Sequence, residues 1–209
     1  MWNELINLTQ HGLLFLQLQF GLSDALAIVV FVSLIRLILL PVSLKATYQQ
    51  YVQRAKLARL SPQLATIKSQ GTAVEQMQAL AELRKANGIN LVTPAQLMNG
   101  LGQSGIGITL FASLKQWSVN STFYWIENIA KPDYLLALCV SLLTFMTMML
   151  TPGEVHWYMA MIPALVAIVA LMSFPATIAI SYGVSAFWTM LQSAICQWYL
   201  RHQKVENMS

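Results

Sequence analysis

Residues 25–44 read ALAIVVFVSLIRLILLPVSL, an apolar run long enough to cross a bilayer as a helix and broken by a single charge, Arg36. A guanidinium does not shed its proton to escape hydrocarbon, and holding one at mid-membrane costs at least about 2.5–3.5 kcal/mol. Arg36 lies about midway between Ala25 and Lys45, too far from either interface for its side chain to snorkel out. The run therefore predicts a polar cavity around Arg36.

Composition carries the membrane assignment to the whole chain. Of the 209 residues, 56% are hydrophobic and only 10% charged, with a mean hydropathy of +0.57, against roughly 25% charged in a soluble domain. The expectation is a single all-α membrane domain over residues 1–209. Further spans are expected at about 93–114, 134–150, 155–172 and 176–199, after a first span at about 24–44, with Ser173 to Pro175 separating the last two. Residues 1–22 mix leucines with Asn, Gln and Thr and carry Trp2 and Phe20 near the ends, which suits a helix lying in the outer interface. His11 has no Cys, Asp or second His at ligand spacing, so it reads as interfacial rather than metal-binding. Cys139 and Cys196 lie in apolar stretches, where a thiol behaves as a small hydrophobe. No Lys or Arg precedes Arg36, so a basic signal-peptide region is missing and the first span is expected to serve as its own targeting signal.

Charge orients the bundle. Seven basic residues fall between Lys45 and Lys85, and Arg201 and Lys204 follow the last span, whereas the segment after the second span has only Lys115 and Lys131. Positive residues stay on the cytoplasmic side, so five spans place the N-terminus outside and the C-terminus inside. Residues 45–90 hold two stretches of good helix formers separated by Ser61-Pro62 and Gly71-Thr72, and Asn87-Gly88 ends the second. They read as a cytoplasmic helical hairpin whose basic face is a solvated or lipid-facing surface rather than a specific nucleic-acid site.

The order of these parts resembles the YidC/Oxa/Alb family of membrane protein insertases. SLIRLILLPVSLKA at 33–46 looks like the family's arginine-containing first core span, with Pro41 at its cytoplasmic end. LSPQL at 60–64 is similar to a hairpin element, and GIN at 88–90 to the entry of the second span. WIENIAKPDYLLAL at 125–138 resembles the lead into the third, and SYGVSAFWTMLQ at 181–192 aligns with the last span. In that alignment Tyr182 takes an aromatic position, Gln192 a glutamine and Ala186 replaces an asparagine, while Gln103 corresponds to the glutamine of the second span. Two family prolines are missing, after Asn90 and after Gln103, and four glycines between Gly100 and Gly107 make that helix rich in small residues.

The resemblance implies a hydrophilic groove, open to cytoplasm and lipid, that lowers the cost of moving a short polar tail of a nascent membrane protein. Its expected residues are Arg36, Gln103, Thr144, Thr147 and Tyr182, with Thr109, Ser113 and Ser141 as further hydroxyls, although each hydroxyl has a competing role in bonding its own helix. The Met-rich run at 146–161 offers an adaptable apolar surface. Expected partners are nascent membrane proteins, the bilayer and translocon components. Only Arg201 and Lys204 follow the last span, so ribosome binding is expected to be weak. The protein is expected to work as a monomer without a cofactor in the bacterial inner membrane, and no P-loop pattern is present. Two other classes stay open: a structural or assembly subunit of a membrane complex, and a small transporter. The second would be expected to pair its arginine with an intramembrane carboxylate, yet Asp24, Glu127, Asp133 and Glu154 all sit at span ends. An enzyme is not expected, because the spans hold no nucleophile with a base at usable spacing.

Overall fold

No glycine interrupts residues 24–59, and the one proline there, Pro41, is absorbed into a continuous helix. Pro41 has no N–H to give the carbonyl of Leu37, a loss that membrane helices tolerate when local side chains and neighbours resatisfy the backbone. The computed structural model describes residues 2–60, 67, 72–88, 94–116, 121–150 and 157–206. Its helices are α1 (Trp2–Phe20), α2 (Asp24–Arg59), α3 (Ala73–Ala86), α4 (Pro94–Gln116), α5 (Tyr134–Met149), α6 (Trp157–Leu171) and α7 (Ala176–Glu206). Among the described residues there is no strand beyond one isolated bridge between Phe123 and Ile126.

The all-helical class is thus as expected, but one boundary differs. At 36 residues, α2 is about 54 Å long against ~30 Å of hydrocarbon. The first span and the first arm of the expected hairpin are one rod, with no break near Lys45. Nothing in residues 42–59 stops a helix, since alanine, glutamine, lysine and arginine are all good helix formers. Two segments are long and apolar enough to cross a membrane, Asp24–Gln53 and Ala176–Tyr199, and two shorter apolar helices are Tyr134–Met149 and Trp157–Leu171.

α2 packs against α7, α5 lies against both α6 and α7, and α1 rests on α2 and α4. The main core gathers at the end of the bundle where α2 begins. Ile28 and Val32 of α2 meet Leu110 and Leu114 of α4, Val140 of α5 and Leu171 of α6 there. Residues 121–133 close the same end. Ile126 and Ile129 are buried in that core, and the carbonyls of Ile129 and Lys131 accept from the amides of Thr177 at 3.2 Å and Ala176 at 2.9 Å. Two first-turn donors of α7 that no helix satisfies are thereby paired by a loop. Asp133 caps α5, its Oδ1 accepting from Leu136 N at 2.6 Å, and Phe111 meets Phe174 edge-on at 5.0 Å.

α5 and α7 approach closely at Gly183, where an added Cβ would stand 2.9 Å from Val140 Cγ2. Overpacking a filled contact costs about 1–3 kcal/mol. Gly183→Leu is therefore expected to lower the thermal midpoint of the purified protein in detergent, whereas Gly100→Leu, with open space at its Cβ, should leave it near wild type.

α3 is capped by its own sequence. Glu75 N bonds Thr72 Oγ1 at 3.5 Å and Thr72 N bonds Glu75 Oε2 at 2.7 Å, a capping box. Hydrogen bonding of the Glu75 carboxylate to Thr72, to its backbone N–H first and then its side chain, holds the carboxyl below its ordinary value. The helix ends at Asn87 and at Gly88, whose φ of +61° suits glycine. Among the described residues α3 packs on no other helix, and its Val74 and Met77 are exposed. The 60–64 element and the 88–90 element fall largely outside the described residues, so the return of the chain through the hairpin is not described.

Candidate substrate groove

The apolar core stops about halfway along the bundle, and a cavity of about 410 Å³ follows it. Arg36, half-buried on α2, lines it together with Thr144 and Thr147 of α5 and Tyr182 of α7. Four residues singled out in the sequence, on three different helices, thus converge on one space. The fifth, Gln103, lies on α4, but its side chain is outside the described residues; its neighbour Ser104 lines the cavity. Among the described residues no carboxylate lines it.

The hydroxyls have a defined polarity. Thr144 donates to Val140 O and Thr147 to Leu143 O, both at 2.8 Å. On α7, Ser181 donates to Ile178 O and Thr189 to Ser185 O, both at 2.9 Å. A hydroxyl whose proton is spent on its own helix offers the cavity acceptor lone pairs. Arg36 consequently supplies the fixed positive charge and a fork of five N–H donors, and the threonines and serines supply acceptors that orient water around it. With no carboxylate among the described residues of its lining, the guanidinium gives the cavity a positive charge.

The other expected hydroxyls go elsewhere. Thr109 donates to Gly105 O at 2.9 Å and faces a different groove, and buried Ser113 donates to Thr109 O at 2.8 Å. Ser141 is buried without a partner for its Oγ and does not line the cavity. Sequence reasoning missed Ser104, Ser181, Ser185 and Thr189. The last three were legible: hydroxyls at 181, 185 and 189 repeat every four residues, which places them on one helix face beside Tyr182 and Ala186.

Beyond the cavity, at the end where α2 runs on, three helices are tied at one atom. Leu150 O, at the C-cap of α5, accepts from Tyr51 Oη of α2 at 2.7 Å and from Gln197 Nε2 of α7 at 2.7 Å. A terminal carbonyl with no helical donor is thereby satisfied twice. Each such bond contributes about 0.5–1.5 kcal/mol. The pair Tyr51→Phe and Gln197→Leu is expected to cost about 1–3 kcal/mol, read as a lower unfolding midpoint in detergent; an unchanged midpoint would show that the tie is dispensable.

A family model described as 60Kd inner membrane protein matches residues 15–204, from the last third of α1 to near the end of α7. No curated protein matches the chain. With an all-helical bundle, helices long enough to span a bilayer and a match over nearly its entire length, the chain belongs to the 60Kd inner membrane protein family, which is the YidC/Oxa/Alb family of insertases.

Proposed function

We propose that this protein inserts membrane proteins by receiving a short polar segment of the substrate in the Arg36 cavity while the adjoining hydrophobic segment slides into lipid. One observation carries the reading: a half-buried arginine whose cavity holds no carboxylate among the described residues and is ringed by hydroxyls from α4, α5 and α7. A peptide segment entering the cavity exchanges bulk water for donors and acceptors held at fixed positions, so its desolvation cost falls. Acidic side chains gain most, because Arg36 is the cavity's charge.

The driving force is the substrate's own helix. Each leucine, isoleucine, phenylalanine or valine at its centre gains roughly 0.3–0.6 kcal/mol on insertion. Twenty such residues outweigh the attraction of one or two carboxylates for Arg36, so the tail is released without nucleotide hydrolysis.

In this reading five segments span the membrane: the first half of α2, then α4, α5, α6 and the first part of α7, with α1 in the outer interface. The exposed cations Lys45, Lys56 and Arg59 all lie on the later part of α2, which supports placing that end in the cytoplasm. The cavity then opens toward the cytoplasmic half and the core around Ile28 and Ile129 seals the outer half.

A photoreactive amino acid at position 182, compared with one at position 38, tests the reading in living cells. Ile38 is 76% exposed on the flank of α2. Nascent substrates are expected to crosslink from 182 and weakly from 38. Equal crosslinking from both would remove the cavity as the substrate's path.

A further inference from the structure

The geometry points to a phospholipid site on the other side of α2 and α4 from the Arg36 cavity, where one acyl chain lies in a groove roofed by α1. The groove has a volume of about 770 Å³. That falls within the ~300–1,000 Å³ of small-ligand pockets, whereas a 30 Å length of helix 10 Å across fills about 2,400 Å³. Leu5, Leu8 and Phe15 of α1, Phe31 and Ile35 of α2 and Ile106 of α4 make it apolar.

Two hydroxyls in its walls are already used. Thr9 donates to Leu5 O and Thr109 to Gly105 O, both at 2.9 Å. Apart from Trp2 and His11 the walls keep no side-chain donor to spare, only the lone pairs of these two hydroxyls, which suits hydrocarbon better than a peptide backbone. Trp2 and His11 remain hydrogen-bonding and exposed, which suits the phosphate and ester of a headgroup. Leu8 and Phe15 are 68% and 59% exposed while lining the groove. The groove is thus continuous with the apolar outer surface of a protein whose family resides in the inner membrane, and a chain enters it sideways from the bilayer.

A consequence follows for the polar cavity. A constriction of about 30 Å³ touches Ile35 and Ile106 on the groove side and Arg36 and Gly107 on the cavity side. Beside this constriction α4 leaves empty space at its glycines, since a Cβ at Gly105 or Gly107 would meet nothing within 4 Å. An acyl chain in the groove supplies the dispersion contacts that an empty space lacks and closes the Arg36 cavity on that side. This site is independent of how substrates are inserted.

Native mass spectrometry of the full chain in mild detergent supplemented with phosphatidylethanolamine tests it. Wild type is expected to retain one lipid, Gly105→Leu to lose it several-fold, and Gly100→Leu, which has open space at its Cβ but does not border the groove, to retain it. Phe15→Ser, which alters α1 alone, should also lose it. A diazirine on the acyl chain should label residues 2–15 and 104–110. Equal retention by wild type, Gly105→Leu and Phe15→Ser, no retained lipid in wild type, or labelling confined to α5 and α6 would overturn the site.

Discussion

Insertion of a substrate with an acidic translocated tail is expected to fall at least about tenfold when Arg36 is replaced by alanine, because losing even ~1.4 kcal/mol of attraction is a factor of ten. Two unit charges 4 Å apart attract by about 4 kcal/mol at an effective dielectric of 20. The cavity is open on one side, so only part of that is realised, and part suffices. Substrates with neutral tails should lose less, since the hydroxyls of Thr144, Thr147 and Ser181 remain. Arg36→Lys keeps the charge but not the planar fork, and should retain much of the activity. Insertion assays with one substrate carrying acidic, neutral and basic tails separate these cases. Equal efficiency of wild type and Arg36→Ala across all three tails would falsify the electrostatic role of Arg36.

Deleting residues 60–84 is expected to abolish insertion while the bundle still assembles. Among the described residues α3 makes no packing contact with another helix, and no described residue of 60–84 belongs to the core around Ile28, Val140 and Ile129. The deletion also spares Tyr51, so the tie at Leu150 is kept. Folding should therefore survive, with the unfolding midpoint in detergent close to wild type. Activity should not, because the exposed apolar residues of this segment, Val74 and Met77, are what it presents to incoming chains in the proposed orientation. Labelling a cysteine at position 68 from outside intact cells would reverse that orientation. A deletion variant that inserts substrates normally would make the hairpin dispensable.

Much of the architecture was legible because hydrophobic length and special residues act locally. Twenty apolar residues around Arg36 require a span with a polar pocket, whatever lies beside it. Asp133 before Tyr134, Pro175 before Ala176 and Asn87-Gly88 after Ala86 mark helix ends through backbone geometry and capping alone. The resemblance to insertases followed from the order of such parts, and the family match over 15–204 agrees with it. The continuity of α2 to Arg59 was less visible, because a change from apolar to charged residues marks a change of solvent and not the end of a helix.

The sequence by itself determined the helical class, the need to shelter Arg36, and the hydroxyl-bearing face of α7 at 181, 185 and 189, since these depend on residue chemistry and a 3.6-residue period. Only the tertiary structure decided which hydroxyls share a space with Arg36. Thr144 and Thr147 face the cavity while Thr109 turns to the groove under α1. A helix period fixes which residues share a face, but the rotation of that face within the bundle is set by packing against neighbours, as where Gly183 lets α7 close on Val140. Tyr51 and Gln197 could not be paired with Leu150 from the chain alone for the same reason: 99 and 47 residues separate them from the carbonyl they share, and only the assembled bundle brings them together.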